Sequence, residues 1–528
     1  MNRPWWQFRS FGRKNVIVAA CAGLASLAPV ASAAAQGNSD FFAPGNLVVS
    51  RSVFSMNPAF PAYPFVWNQD VVDASFGITS RILLDQLTTA GALVSTLEVP
   101  NSSQRGVPPT KDQMVTSFSS KSELALNLST DGELLTFMGY LAPVDATDVS
   151  NTNTPLAFDP TNPVSGFAYR VVAQVDAKGQ FHFTKTNAYS GNNGRAAILN
   201  NTDGSNVYFT AGNAGNGSNP QPAEIVLGAG TQFIPADVKA LVAQNPDLPT
   251  PLGSFSVTQL GAKADKVGKD DNFRGLTIFD DVVYLTKGSG GNGVNTVYFI
   301  DTSSQGACPN GVGLPQPGAS LPTALLAYDP SLVATAGLPS NMCILKGFPS
   351  ALNSSLKKKT TAYPFGVWFA NATTLYVADE GDGDLADANV GMPSGLQKWV
   401  LQNGTWNRVY TLQTGLGLGS TYPFPGSQNY PTGINPATGA DWAPVTDGLR
   451  NITGRVNDDG TVTIWGITST ASGNGDPGAD PNKLVMITDV LANTSATVAA
   501  GETFVTVRTA AFGEVLRGVS FTPGSFAP

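Results

Sequence analysis

Residues 363–414, YPFGVWFANATTLYVADEGDGDLADANVGMPSGLQKWVLQNGTWNRVYTLQT, hold four short apolar runs separated by turn residues. FGVWFA, TLYVADE, LQKWVL and RVYTLQT read as the four strands of one propeller blade. If such units recur, the chain is a ring of them.

Outward from that stretch they do recur. Toward the N-terminus, one unit runs through Glu123-LALNLS, Glu133-LLTFMGY, Phe167-AYRVVAQVD and Gln180-FHFTKTN. Asp131-Gly132 and Lys178-Gly179 supply hairpin turns in it. The next unit starts at Arg195-AAILNN and continues with Asn206-VYFTAGN and Ser254-FSVTQLG, with a helix-like interruption at Pro235-ADVKALVAQ. Another comprises Arg274-GLTIF, Asp281-VVYLTKG, Asn295-TVYFID and either Leu325-LAY or Cys343-ILKG. Toward the C-terminus lie Arg450-NITGRV, Thr461-VTIWGITS, Asn482-KLVMITDV and Thr503-FVTVRTA.

What remains is three strands at the start (Asn46 to Phe54, Ser80-RILLDQL, Ala92-LVSTLEV) and one at the end, Leu516-RGVSFT. Three plus one makes a composite blade that would close the ring and remove its open edges. The expectation is an all-β, six-bladed β-propeller over residues 36–528, with seven blades as the alternative. The unit starts are spaced by roughly 70 to 90 residues, whereas a bare blade needs about 40 to 50. Much of each unit is therefore loop, and 288–293, 303–318 and 415–440 are such loops; loops on a rigid scaffold commonly carry binding.

Composition agrees with many short strands. Only 13% of the 528 residues are charged, and Gly and Pro number 56 and 37. The net charge of -8 argues against nucleic acid as a partner, because a phosphate backbone attracts basic surfaces. Arg3, Arg9, Arg13 and Lys14 precede an apolar run, Val16 to Val30, that ends in small residues. This reads as a bacterial export signal over residues 1–35, cut near 33 or 35, and predicts a secreted or periplasmic protein. Val18-Ala19-Ala20-Cys21 offers a lipobox as the alternative. No later segment is apolar for long enough to span a membrane, and a monomer is expected. In the exported chain Cys308 and Cys343 remain, an even pair expected to form a disulfide.

Thr374-LYVADEG resembles the second strand of secreted NHL, gluconolactonase-like and phytase-like propellers. The resemblance implies a site built from strand-end loops on one face and, as in some relatives, a Ca²⁺ ion near the central channel. The histidines used by lactonase and sugar-dehydrogenase propellers have no counterpart. The chain's single histidine, His182, alternates with Phe181 and Phe183 and reads as a half-exposed residue of an outer strand.

Two constellations carry possible chemistry. Asp379, Glu380, Asp382, Asp384 and Asp387 crowd a glycine-containing loop directly after a predicted strand, an oxygen-rich set of the kind Ca²⁺ takes. The bland reading is a solvated acidic turn. Aligning the units exposes the second: Arg195, Arg274, Arg450 and Arg517 stand at the start of the same strand in four units, with Glu123 and Phe365 in the other two. If that strand is innermost, four guanidiniums converge at the channel mouth, where they would bind an anionic small molecule or polymer. The competing reading makes them staples between blades. The tryptophans Trp368, Trp399, Trp406 and Trp465 fall within strands and read as packing. Three functions stay open: an anion-binding propeller, a Ca²⁺-dependent hydrolase acting on lactones or phosphoesters, and an extracellular interaction scaffold.

Overall fold

In the computed structural model, the four runs of 363–414 become four consecutive antiparallel strands in one sheet. The structure describes residues 40–53, 79–99, 114–117, 123–146, 149–155, 165–202, 204–213, 230–236, 253–255, 272–288, 294–301, 311–322, 342–351, 362–384, 394–422, 434, 439, 441, 443–473, 480–511 and 513–525. The expected export signal, Cys21, the Leu325 run and most of the helix-like interruption lie outside them.

In chain order, β1 (Leu47–Val53), β2 (Thr79–Leu87) and β3 (Leu93–Glu98) come first. They are followed by β4 (Met114–Ser117), β5 (Asn127–Leu128), β6 (Leu134–Leu141), β7 (Arg170–Asp176) and β8 (Phe181–Thr186). A four-stranded sheet contains β9 (Gly194–Asn200), β10 (Val207–Gly212), β11 (Thr231–Pro235) and β12 (Gly253–Phe255). The next has five: β13 (Phe273–Phe279), β14 (Val282–Lys287), β15 (Thr296–Ile300), β16 (Val312–Gly313) and β17 (Met342–Leu345). Then come β18 (Pro364–Asn371), β19 (Thr374–Asp379), β20 (Gly395–Gln402) and β21 (Thr405–Leu412). Another four-stranded sheet holds β22 (Val445–Val456), β23 (Thr461–Ala471), β24 (Lys483–Val490) and β25 (Val505–Thr509). A one-turn helix, α1 (Ala496–Ala499), precedes β25, and β26 (Glu514–Phe521) is the last strand.

This is a β-propeller arrangement, but not one of six or seven separate blades. Among the described residues four blades stand apart, and all other strands join a nine-stranded sheet. The cause is β4, which pairs with β2 on one side and with β6 on the other, so the first two units are stitched into one sheet. The unit expected to begin with a full strand at Glu123 starts instead with the two-residue β5. Leu124 has a positive φ of 61°, which no strand residue adopts, so pairing cannot start there.

The expected closure forms. β26 pairs with β1 from Leu47↔Phe521 to Val53↔Glu514, which places the last strand beside the first. Arg51 reinforces it through Asp85 and Glu514, each at 2.6 Å, and Arg508 reaches Asp85 at 2.8 Å, tying β1, β2, β25 and β26 together. The apolar side chains lie between neighbouring sheets. One cluster fills the space among the sheets that start with β9, β13 and β18, another lies between those of β18 and β22, and a third joins β22–β25 to β1 and β26.

The first strands meet at the middle. β26 touches β22, β22 touches β18, β18 touches β13, β13 touches β9, β9 touches β5, and β5 returns to β26. Their backbones approach so closely that glycine is required. A Cβ at Gly275 would collide with the carbonyl of Phe365, one at Gly366 with that of Arg450, and one at Gly518 with that of Leu124. Two of those carbonyls also accept side-chain bonds, Phe365 O from Thr286 Oγ1 (2.6 Å) and Leu124 O from Ser50 Oγ (2.7 Å), and Asn451 Nδ2 donates to Arg517 O (2.9 Å). Substituting Gly275→Ala or Gly518→Ala should therefore lower the free energy of urea unfolding by about 1–3 kcal/mol, the usual cost of overpacking. Gly501→Ala, which meets only an ordinary 3.7 Å contact, should be nearly neutral in the same assay.

Candidate functional site

Arg195, Arg274, Phe365, Arg450 and Arg517 all sit where the register of a first strand slips against its neighbour. Ala196 pairs with Ala211 and Gly194 with Gly212, skipping Arg195. The pairing likewise jumps from Phe273 to Leu276, from Pro364 to Val367 and from Leu449 to Ile452, while Arg517 is skipped between Leu516 and Gly518. A bulge bends the strand and re-aims a side chain. Glu123 stands at the matching place ahead of β5. These six residues, expected from the sequence at a channel mouth, are all buried, from 0% exposed for Glu123 and Phe365 to 7% for Arg274.

Two carboxylates are interleaved with the four arginines. Glu380, one residue beyond β19, lies between the arginines of the flanking sheets: its Oε1 is 3.5 Å from Arg274 Nη1 and its Oε2 accepts from Arg450 Nε at 3.2 Å. The unit with Phe365 in place of arginine thus supplies the counter-charge for both neighbours. The Arg274 guanidinium also lies 5.9 Å from the Phe365 ring centre. Glu123 is held by Thr116 Oγ1 (2.6 Å), Ser117 N (3.0 Å), Asn193 Nδ2 (3.4 Å) and a short bond from Tyr140 OH. Its charge acts on Arg517 on one side and Arg195 on the other. Burial raises the Glu123 pKa, and Arg517 opposes that rise. Arg517 Nε donates to Ser52 Oγ at 3.0 Å.

Around the hub the order is acid, arginine, arginine, acid, arginine, arginine. The charge of Arg274 acts on Arg195, and among the described residues no carboxylate lies in ion-pair range of Arg195. Its Nη1 donates to Phe273 O (2.9 Å) and to Asn272 Oδ1, while its Nε, fully buried, has no hydrogen-bond partner among the described residues. Burial first and the Arg274 charge second push its pKa well below the ordinary arginine value. Arg450 is lowered by burial too, with Glu380 and the nearby Asp447 pulling the other way. Arg170, outside the sequence expectation, stacks at 5.1 Å on Tyr140 and donates to the carbonyls of Ala168, Ser150 and Thr152. It is a structural clamp, and its isolated position in a predicted middle strand gave no signal.

The acidic loop divides differently from the Ca²⁺ expectation. Asp379 Oδ2 accepts from Tyr363 N and Gln397 Nε2, both at 3.0 Å, and its Oδ1 from Gly381 N at 3.1 Å; burial pushes its carboxyl up to about 6. Glu380 serves the arginines. Asp382 Oδ1 caps Asp384 N at 2.9 Å within the turn, and both residues are half-buried. Asp387 lies outside the described residues. A Ca²⁺ shell built on Asp379 and Glu380 does not fit these commitments, and among the described residues no three His, Cys, Asp or Glu side chains converge to hold a metal.

His182 lies half-buried on β8, the outermost strand of its sheet. Cys343 is disulfide-bonded, and its expected partner Cys308 lies outside the described residues. Trp399 stacks on Phe348 with centroids 4.0 Å apart, Trp406 meets Phe369 edge-on, and Trp465 is buried with Nε1 donating to Thr89 O. These three tryptophans pack. No family model matches the chain, and no curated protein matches its sequence.

A second charged cluster joins the β18–β21 and β22–β25 sheets. Lys398 Nζ, fully buried, contacts Asp489 (2.9 Å), Tyr410 OH (3.0 Å) and the carbonyls of Val490, Leu491 and Asn493. Beside it Glu502 is raised from 4.5 to about 7 by burial and by Asp489, to which only the protonated acid can donate.

Two outcomes follow from these charges. Glu380→Gln leaves Arg274 and Arg450 facing a neutral amide and should cost about 3–5 kcal/mol, whereas Arg195→Met, which removes a buried charge without breaking an ion pair, should leave the melting temperature unchanged or raised. Because the folded state retains the Glu502 proton that the unfolded chain releases, stability should fall as pH rises from about 4.5 to about 7 and then level off. A Glu502→Gln variant, melted across the same pH series, should lack that portion of the decline.

Proposed function

We propose that this protein is an exported β-propeller that binds a small anion, or the anionic end of a larger ligand, at its hub through Arg195, Arg274, Arg450 and Arg517. In this reading the nine-stranded sheet spans two positions of the ring, one built on β26, β1, β2 and β3 and the other on β5 to β8. The observation that carries the proposal is the junction of the first strands that bear Arg195 and Arg274, where both arginines are buried and Arg195 Nε has no hydrogen-bond partner among the described residues. A carboxylate, phosphate or sulfate oxygen placed there would accept from Arg195 and offset the repulsion between the two charges. Arginine suits this role because its charge persists under burial that would neutralise a lysine.

The staple reading holds for part of the set, since Glu380 is engaged by Arg274 and Arg450. For a hydrolase, His182 on an outermost strand is remote from the hub, and the hub carboxylates Glu123 and Glu380 are engaged as counter-charges to the arginines. The disulfide at Cys343, for which Cys308 is the expected partner, fits the proposed export.

Sulfate and inorganic phosphate are the direct probes. Either should raise the melting temperature of the wild-type protein and bind measurably by calorimetry, with affinity reduced at least tenfold in Arg195→Met while the variant's own fold is retained. Equal anion binding by wild type and Arg195→Met would remove the hub as the site.

A further inference from the structure

The first strands continue past the hub residues and enclose a cavity of about 800 Å³, within the size range of small-molecule sites. Its chemistry is opposite to that of the hub. Among the described lining residues there is no Lys, Arg or His, and the only charged ones are Asp280 and Asp281, both exposed on the two-residue turn between β13 and β14.

Three hydroxyls on three different first strands line it: Thr277 of β13, Thr453 of β22 and Ser520 of β26. None makes a side-chain hydrogen bond among the described residues, whereas hydroxyls on the neighbouring second strands are engaged, as with Ser50 of β1 and Thr286 of β14. Unused hydroxyls in a recess, rather than on open surface, must be met by water or by a ligand's own donors and acceptors. Trp368 adds an aromatic wall. A Cβ at Gly454 would strike the face of its indole, so the ring rests against the β22 backbone, and Trp368, half-buried, is one of the residues that line the cavity.

We infer that this cavity is a second ligand site, and that it takes a neutral polyhydroxylated molecule, the end of an oligosaccharide. Several weak donor–acceptor groups spread over three strands match a ligand with hydroxyls on all sides. An aromatic wall matches the C–H faces of a pyranose. The absence of basic lining residues, with two carboxylates at the rim, disfavours the anions that suit the hub. The inference does not depend on anion binding at the hub, and the two can fail separately.

Intact protein titrated with maltotriose, cellotriose, chitotriose and mannotriose, followed by calorimetry and tryptophan fluorescence, tests it. At least one trisaccharide should bind. Thr277→Val combined with Thr453→Val, which keeps side-chain shape while deleting two hydroxyls, should weaken it about tenfold or more, as expected for two hydrogen bonds. Trp368→Phe should abolish the fluorescence response. Both variants should keep the far-ultraviolet circular dichroism and cooperative melting of the wild type, which would certify their fold. No binding by any of the four at millimolar concentration, or unchanged affinity in the Thr277→Val/Thr453→Val protein, would overturn the site and leave a water-filled recess.

Discussion

The closeness with which one first strand passes the next governs the centre of this molecule. At Gly275, Gly366 and Gly518 there is no room for a Cβ against the neighbouring sheet's carbonyl. Strands packed this tightly cannot keep an even two-residue alternation past the point of contact, and each slips register there. The bulge gathers Arg195, Arg274, Phe365, Arg450 and Arg517 in one buried zone. Such a zone would be unstable if it held cations alone. Glu123 and Glu380 fall between pairs of arginines, so that each carboxylate serves two neighbours.

The consequence is a scaffold with two unlike zones along its first strands. At the hub the side chains are long, charged and desolvated, and the interactions are directional and strong. Beyond the hub, the same strands present threonine, serine, aliphatic and aromatic groups around a recess. A single set of strands therefore presents two chemistries because its bulge separates one stretch of side chains from the next. Fold alone would not distinguish the zones; the residues do.

Much of this was legible in the sequence. The four runs of 363–414 are strands with nearly the expected limits, the closing strand at 514–521 lies beside β1, and the six hub positions emerge from alignment of the units. Three things were hidden for physical reasons. The count of separate blades failed because β4 is four residues long and pairs on both edges, and a run so short has no periodicity to read. Glu380 was grouped with its acidic neighbours, because adjacency in sequence says nothing about which side of a strand end faces the hub. The glycines after Arg274, Phe365 and Arg517 were visible as a repeated pair, yet their meaning rests on carbonyls of the next unit or, for Gly518, of Leu124 near the other end of the described chain, which no local pattern reveals.

The pairing of β1 with β26 also sets an order of assembly. Contacts within each antiparallel sheet involve near neighbours in the chain and can form as soon as a unit is complete. The seam between Leu47–Val53 and Glu514–Phe521 joins the two ends of the described chain, and it carries the largest loop-closure entropy in the molecule. Until that seam zips, β1 and the β22–β25 sheet lack the strand that shields them, and the apolar cluster of Leu47, Val49, Trp465 and Leu516 is unfilled. The last of the described strands is thus the one that completes the first. Without that pairing, the edge of β1 and the apolar surface of its neighbours would stand open to solvent and to other chains.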